Sequence, residues 1–410
     1  MKSAYRGKNS ALKIIVGGYL VRGPLGGSAW QFLQYARGFS DLGHDVYFVE
    51  DSGDDRWCCY DPSQNVTSED PTFGLGFTQD AFARVGFGDK WAYFDAHSDQ
   101  WLGPASEKIR EACKEADVFV NLSGGNPVRP WFADIPVRVF VDTDPLFTQV
   151  RHLTDQSRQK RAKQHNVFMS FGENIGVNKS EVPDDGFHWH PTRQPVVLDA
   201  WPVTPGPRTG SFSTVMQWDS YAEQEYDGIR YGMKSQSFDP YVDLPSRLST
   251  DLELSVGSST APRDLLRANG WKLINPLETA RDPWTYQSFI QHSRGEFTIA
   301  KHGYVASRSG WFSERSTSYM ASGRPVIVED TAFDFWLPTG IGVLAFSSPH
   351  EAKEHIEEVD SNYEEHARAA RELVEEYFNA RSVLRDLIDY ALSGSAGKRQ
   401  AVSSTQRVPR

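Results

Sequence analysis

The chain has 410 residues, 24% charged and 39% hydrophobic, with a formal net charge of −11. That length suits two domains of about 150–200 residues each. The acidic balance disfavours nucleic acid or an anionic membrane as partner unless a local basic patch overrides it. Three cysteines (Cys58, Cys59, Cys113), no clustered metal ligands and no apolar run near the ~18 residues of a bilayer span point to a reduced, cytoplasmic protein with no disulfide framework, no metal and no membrane span. The opening "MKSAYRGKNSALKIIVGG" lacks the apolar core of a signal peptide.

In chain order, "LKIIV" reads as a buried strand, followed by the glycine-rich "GGYLVRGPLGGSAW" (Gly17 to Trp30) and a helical stretch from Ser28. "DVYFVED" is the next strand. "TFGLGF" and "KWAYFDAHSDQW" read as aromatic loops. A helix near Ala105 to Glu115, strands in "DVFVNLSGG", "VRVFVDTDP" and "VFMSFGENIG", and a polar helical run from Phe147 to Gln164 complete a first half. Pro- and Gly-rich sequence from His188 to Ser211 reads as a linker, and His188 and His190 within it as loop or strand rather than as a metal pair. The alternation restarts with "STVMQW", a polar helix near Pro240 to Thr250, "DLELSVG", "APRDLLRANG", "WKLINP", "TYQSFIQHSRG", "EFTIAKHGYV", "RPVIVED" and "GVLAF". Two amphipathic helices follow, then a polar tail. The expectation is α/β, with two doubly wound Rossmann-like domains, residues 1–190 and 191–372, facing across a cleft, then a helix over 373–392 and a disordered tail over 393–410.

In such sheets ligands bind beyond the carboxyl ends of the strands, beside helix N-termini that favour anions. The first glycine loop lets a backbone approach a ligand, through Gly26 and Gly27 in particular, and Ser28 suits a helix cap. It carries no G-x-G-x-x-G, although Glu50 and Asp51 stand where a dehydrogenase places its ribose acid. The richer segment is "SGWFSERSTSYMASGRPVIVED" (Ser309 to Asp330). Ser313 is the expected N-cap. Glu314, Arg315 and Ser316 form an exposed first turn, with Arg315 aimed at a phosphate and Lys301 and Arg308 adding charge from the preceding loop. Glu329 and Asp330, at the end of the next strand, suit sugar hydroxyls. A solvated cap and a surface acid pair are the alternatives.

That segment resembles the donor site of GT-B glycosyltransferases, in which a small-residue helix, G-x-P and a strand cradle a nucleotide-sugar. The stretches "FGENIG", "MQWDSY", "AKHGYV" and "RSGWFSERS" are similar to those of bacterial members. The resemblance covers the architecture of nearly the whole chain, and implies that residues 1–190 take the acceptor side and 191–372 the nucleotide-sugar donor side, with the helix over 373–392 returning to the first domain. It implies transfer of a sugar from a nucleotide-sugar donor to an acceptor hydroxyl, with no cofactor and no metal. It implies contact of Lys234 with the diphosphate, whereas Trp218 stacks on the base or packs in the core. The Glu–x7–Glu pair of many retaining members is absent: Gly310 and Ser318 stand there. The base is expected at a strand end of the first domain: Asp142, Asp144 or Glu173, with His97 as runner-up. A nucleotide-sugar epimerase, a non-catalytic sugar or nucleotide binder, and a DNA-modifying transferase whose cleft is locally basic are the competing readings.

Overall fold

A computed structural model of the chain describes residues 11–177, 180–207 and 209–404. It contains two large sheets. The first has eight strands in the order Trp189–Pro191, Val167–Ser170, Val137–Asp142, Val118–Leu122, Lys13–Gly17, Asp45–Asp51, Trp91–Asp95 and Gln100–Leu102. Its pairs are parallel except the last, an antiparallel hairpin at the edge. The second has six parallel strands: Lys272–Ile274, Leu252–Gly257, Phe212–Gln217, Gly295–Thr298, Val326–Glu329 and Val343–Phe346. The central strands are apolar runs covered on both faces, as in "KIIVG" with Ile14, Ile15 and Val16 fully buried. Strand order reverses beside the first strand of each half, between Lys13–Gly17 and Val118–Leu122 and between Phe212–Gln217 and Gly295–Thr298. These switch points are where a parallel sheet opens a crevice for ligands.

Several expectations change. "TFGLGF" opens a helix, Thr72–Arg84, because Gly74 lets it lie against the Val21 carbonyl, which an added Cβ would meet at 1.9 Å. The aromatic segment from Trp91 forms the edge hairpin. The Phe147–Gln164 run is two helices, Phe147–Thr154 and Gln156–Ala162: Asp155 is extended and caps the second through the Ser157 and Arg158 amides. Only 3-10 turns occupy Asp239–Tyr241 and Leu244–Arg247. Trp189–Pro191, placed in the linker from sequence, pairs with the first sheet.

The two halves are packed against each other. The Trp30 indole donates to the Pro283 carbonyl at 2.7 Å, and Asn174 donates across to the carbonyls of Ala332 and Arg308. The last helix, Ala380–Ser404, continues past Ser393, where the sequence suggests a tail, and residues 405–410 lie outside those described. It packs on Gly26–Asp41 of the first half. Leu384 fills the space over Gly38, and Tyr390 stacks on His190 at 3.6 Å. All three cysteines are free thiols. Among the described residues no helix is long and apolar enough to cross a membrane.

Candidate functional site at the domain junction

The helix Glu314–Ala321 begins as its sequence suggests, with the Ser313 hydroxyl accepting from the Arg315 amide. Arg315 itself turns inward. Its guanidinium donates to Glu296 at 2.5 Å, to Thr298 at 2.8 Å and to the Val215 carbonyl at 3.0 Å, knitting together both strands at the second switch point. Glu296 is fully buried and Arg315 nearly so. An exposed phosphate contact is thus corrected to an internal brace: the nearest strong acceptor is protein.

Lys234 opens the short helix Lys234–Phe238, and its side chain is 8% exposed. Its ammonium is buried and has no hydrogen-bond partner, and the same holds for the hydroxyl of Ser316. Burial, reinforced by the charges of Arg315 and Lys301, drives the Lys234 pKa well below its usual value, against the pull of Glu296 and Glu329. Glu329 ends its strand 7% exposed and accepts from the Ala300 amide at 2.9 Å. Burial raises its pKa to about 7 despite that bond and Lys234, with Asp330 adding repulsion. Asp330, half-buried, caps the next turn through the Ala332 amide.

Lys301 and Asp144, assigned from sequence to opposite roles, meet at the junction. Lys301 Nζ donates to Asp144 at 2.8 Å and to the Tyr221 hydroxyl at 2.9 Å. Tyr221 donates to Asp144 at 2.5 Å, Tyr304 also donates to it, and Arg151 reaches it at 3.3 Å. Burial alone pushes the Asp144 pKa up, but Lys301 and Arg151 outweigh it and hold the carboxyl below its ordinary range. Tyr221 and Tyr304 carry no motif, so sequence reasoning passed over them. The only pointers are the quoted stretches that contain them, "MQWDSY" for Tyr221 and "AKHGYV" for Tyr304.

Other expected residues are engaged elsewhere. Asp142 is fully buried and accepts from Thr148, Gln149, Ser170 and the Asp144 amide, so it organises the loop rather than facing a substrate. Glu173 is paired with Arg193 at 2.5 Å. Trp218 is 5% exposed and packs on Phe238 in the second core, which decides its two readings for packing. An added Cβ on Gly26 would meet the Asp282 carbonyl at 2.2 Å and one on Gly27 the Tyr286 ring at 3.1 Å, so the Cβ side of each faces protein across the junction. Ser28 is not the cap, since the helix starts at Gly26. Arg308 is exposed at a helix end, over the Phe335 ring. Glu50 accepts the amides of Leu20, Val21 and Arg22, and Asp51 holds Arg129, so neither is open to a ribose. His97 contacts the Asp55 carbonyl, and no group of three or more His, Cys, Asp or Glu among the described residues could hold a metal ion.

At the first switch point lies a cleft of about 820 Å³. Tyr19 and Arg22 come from the loop after the first strand, Ser123 to Val128 from the loop after Val118–Leu122, and Arg151, Arg158 and Arg161 from the two helices beyond.

No family model matches the sequence, and no curated protein matches it closely. Solved structures do match the fold. An alpha-glucosyltransferase in complex with UDP-glucose and DNA containing an abasic site aligns over 92% of this chain and 98% of its own, at 10% identity and a TM-score of 0.56. A glycosyltransferase from Rickettsia africae aligns over 93% and 98%, at 11% identity and 0.52. A sucrose-phosphate synthase from Thermosynechococcus elongatus aligns over 95% and 99%, at 11% identity and 0.50. With two Rossmann-like halves matched over almost the full length of these enzymes, the chain has the GT-B glycosyltransferase fold.

Proposed function

We propose that the protein is a metal-independent glycosyltransferase that moves a sugar from a nucleotide-sugar donor to an acceptor hydroxyl. The observation that carries this reading is the ammonium of Lys234. It is buried without a partner, beside Arg315 and Lys301, at the switch point of the second sheet. Burying an unpaired cation is costly, and cations so grouped favour an anion with several oxygens, which a diphosphate supplies. The N-terminus of Glu314–Ala321, with the unpartnered Ser316 hydroxyl in its first turn, favours the same charge.

In the reaction the acceptor oxygen bonds to the anomeric carbon while the bond from that carbon to the β-phosphate oxygen breaks. The hydroxyl proton goes to a base, and the nucleoside diphosphate leaves with the bonding pair. Lys234 and Lys301 stabilise the charge that develops on the leaving group. Of the three carboxylates considered as base, Asp144 is the one hydrogen-bonded to the donor-side Lys301, and it is ionised at neutral pH. Glu329, with its pKa raised to about 7, keeps a protonated fraction at neutral pH that has both a donor and an acceptor for a sugar hydroxyl.

A thermal-shift panel of UDP, GDP, dTDP and ADP tests the reading, because a ligand that binds only the folded state raises the melting temperature. One nucleotide is expected to stabilise the wild type and to lose that effect in Lys234→Met. An equal response from both proteins, or none from any nucleotide, refutes it. Slow hydrolysis of the matching nucleotide-sugar separates a transferase from a mere binder.

A further inference from the structure

The cleft at the first switch point has a definite chemistry. Its volume, about 820 Å³, suits a small molecule. Four of its lining residues are arginines, against two carboxylates, Asp54 and Asp55. The arginines retain donors. Arg22 uses Nε on Glu50 and one Nη on the Gly125 carbonyl. Arg151 lies over the Tyr221 ring at 4.2 Å and donates to Asp144 at 3.3 Å. Arg158 pairs through Nε with Asp155 at 3.4 Å and is half-exposed. Arg161 makes no ion pair or side-chain hydrogen bond among the described residues. Each guanidinium has five N–H groups in a fork that matches an oxyanion. The carboxylates are turned to other partners: Asp54 to Arg129 at 3.1 Å, and Asp55 to the Trp57 amide at 3.0 Å.

The cleft also adjoins the proposed donor site. Tyr19 on its wall is close enough to Glu314 and Asp144 for both charges to raise its phenol pKa, on top of burial, and Arg151 is shared between the cleft and the Asp144 cluster. Phe140, on the lining, offers an apolar face to the body of a ligand.

We infer that this cleft binds the acceptor, and that the acceptor is a small molecule bearing a phosphate or carboxylate group held by Arg22, Arg151, Arg158 and Arg161. The inference rests on the glycosyltransferase reading for the word acceptor, but not for the anion site. A small anion fits better than nucleic acid. The chain as a whole carries −11, which opposes a long polyanion more than a small one.

Titration calorimetry at low salt, with the donor site saturated by the nucleotide that stabilises the protein, tests this. The probes are glucose 6-phosphate, glucuronate, glucose and a short duplex DNA. The first two distinguish phosphate from carboxylate. At least one of them is expected to bind, with glucose far weaker. The double variant Arg158→Ala/Arg161→Ala, altered only at exposed side chains, is expected to weaken that binding by about tenfold or more while leaving the nucleotide shift intact. Four results overturn the inference: no binding by either anionic probe, glucose binding equally well, an unchanged double variant, or duplex DNA binding more tightly than both. If no nucleotide binds, the titration is run on Lys234→Met, which removes the donor-side cation. Anion binding there that still depends on Arg158 and Arg161 keeps the anion site while the donor reading falls.

Discussion

After the first strand of each half the chain passes into a helix, and the two connections are built on opposite lines. In the N-terminal half it is glycine-rich, and its glycines are close to protein: Gly18 to Phe32 and Phe48, Gly26 to the Asp282 carbonyl, Gly27 to the Tyr286 ring. In the C-terminal half the chain makes a hairpin, Gln224–Tyr226 with Ile229–Tyr231, and enters its helix with Lys234, whose buried ammonium has no hydrogen-bond partner. A missing side chain permits close approach, but what approaches is decided by the rest of the molecule: here it is the first half's own core at Gly18 and the other half at Gly26 and Gly27. A buried charge without a partner is a stronger sign of a ligand, because its cost is met by no protein contact.

The largest expected effect separates a satisfied charge from an unsatisfied one. Arg315→Ala leaves Glu296 buried without its partner, and urea unfolding is expected to show a loss of about 3–5 kcal/mol. A loss below about 1 kcal/mol would mean that Arg315 is available to a ligand after all, as its sequence position suggested.

Next comes Glu329, the acid beside Lys234. Its pKa is about 7 in the fold against an ordinary 4.5, so the folded state holds the proton more tightly than the unfolded chain. Its contribution to stability is fully present below pH 4.5 and is lost as pH rises through 7. Stability measured from pH 4.5 to 8 is expected to fall by about 3 kcal/mol in the wild type relative to Glu329→Gln, which cannot ionise. A difference that does not change with pH contradicts the raised value.

Lys234→Met follows. Replacing an unpartnered buried ammonium with an apolar chain of similar length is expected to stabilise the empty protein by about 1–3 kcal/mol. The same change is expected to weaken the stabilising nucleotide by about 10–100-fold. These opposite signs distinguish a ligand contact from a structural lysine, whose loss would lower both.

The fold was readable because its strands are apolar runs of ordinary length between turn residues; "DVYFVED" has the same bounds, Asp45–Asp51, in sequence and structure. The helix at Thr72–Arg84 was not, because its glycine and aromatic content answers to a tertiary contact with Val21 rather than to helix propensity. Within the site the division is the same. Ser313 as a cap depends on the amide of its near neighbour Arg315 and was legible. The direction of Arg315 depends on Glu296, which opens the stretch "EFTIA", and no local pattern reveals it. The arginine cleft draws on loops and helices from Tyr19 to His165, so it exists only once the sheet has brought them together.

The smallest effect tests the N-terminal side of the comparison. At Gly27 an added Cβ would sit 3.1 Å from Tyr286 Cε2, a ring edge that can give by a few tenths of an ångström. At Gly26 it would sit 2.2 Å from a backbone carbonyl that cannot. Both positions are helical, so alanine relieves a propensity cost of about 1 kcal/mol for glycine. For Gly27→Ala that gain and the modest crowding nearly cancel, and a net change within about 1 kcal/mol is expected. Gly26→Ala forces the helix off Asp282 and is expected to be destabilising by about 1–3 kcal/mol. If these glycines instead bordered the donor, Gly27→Ala would leave stability alone and weaken nucleotide binding. Melting temperatures of both variants with and without the stabilising nucleotide therefore decide between protein and ligand as the neighbour of this loop.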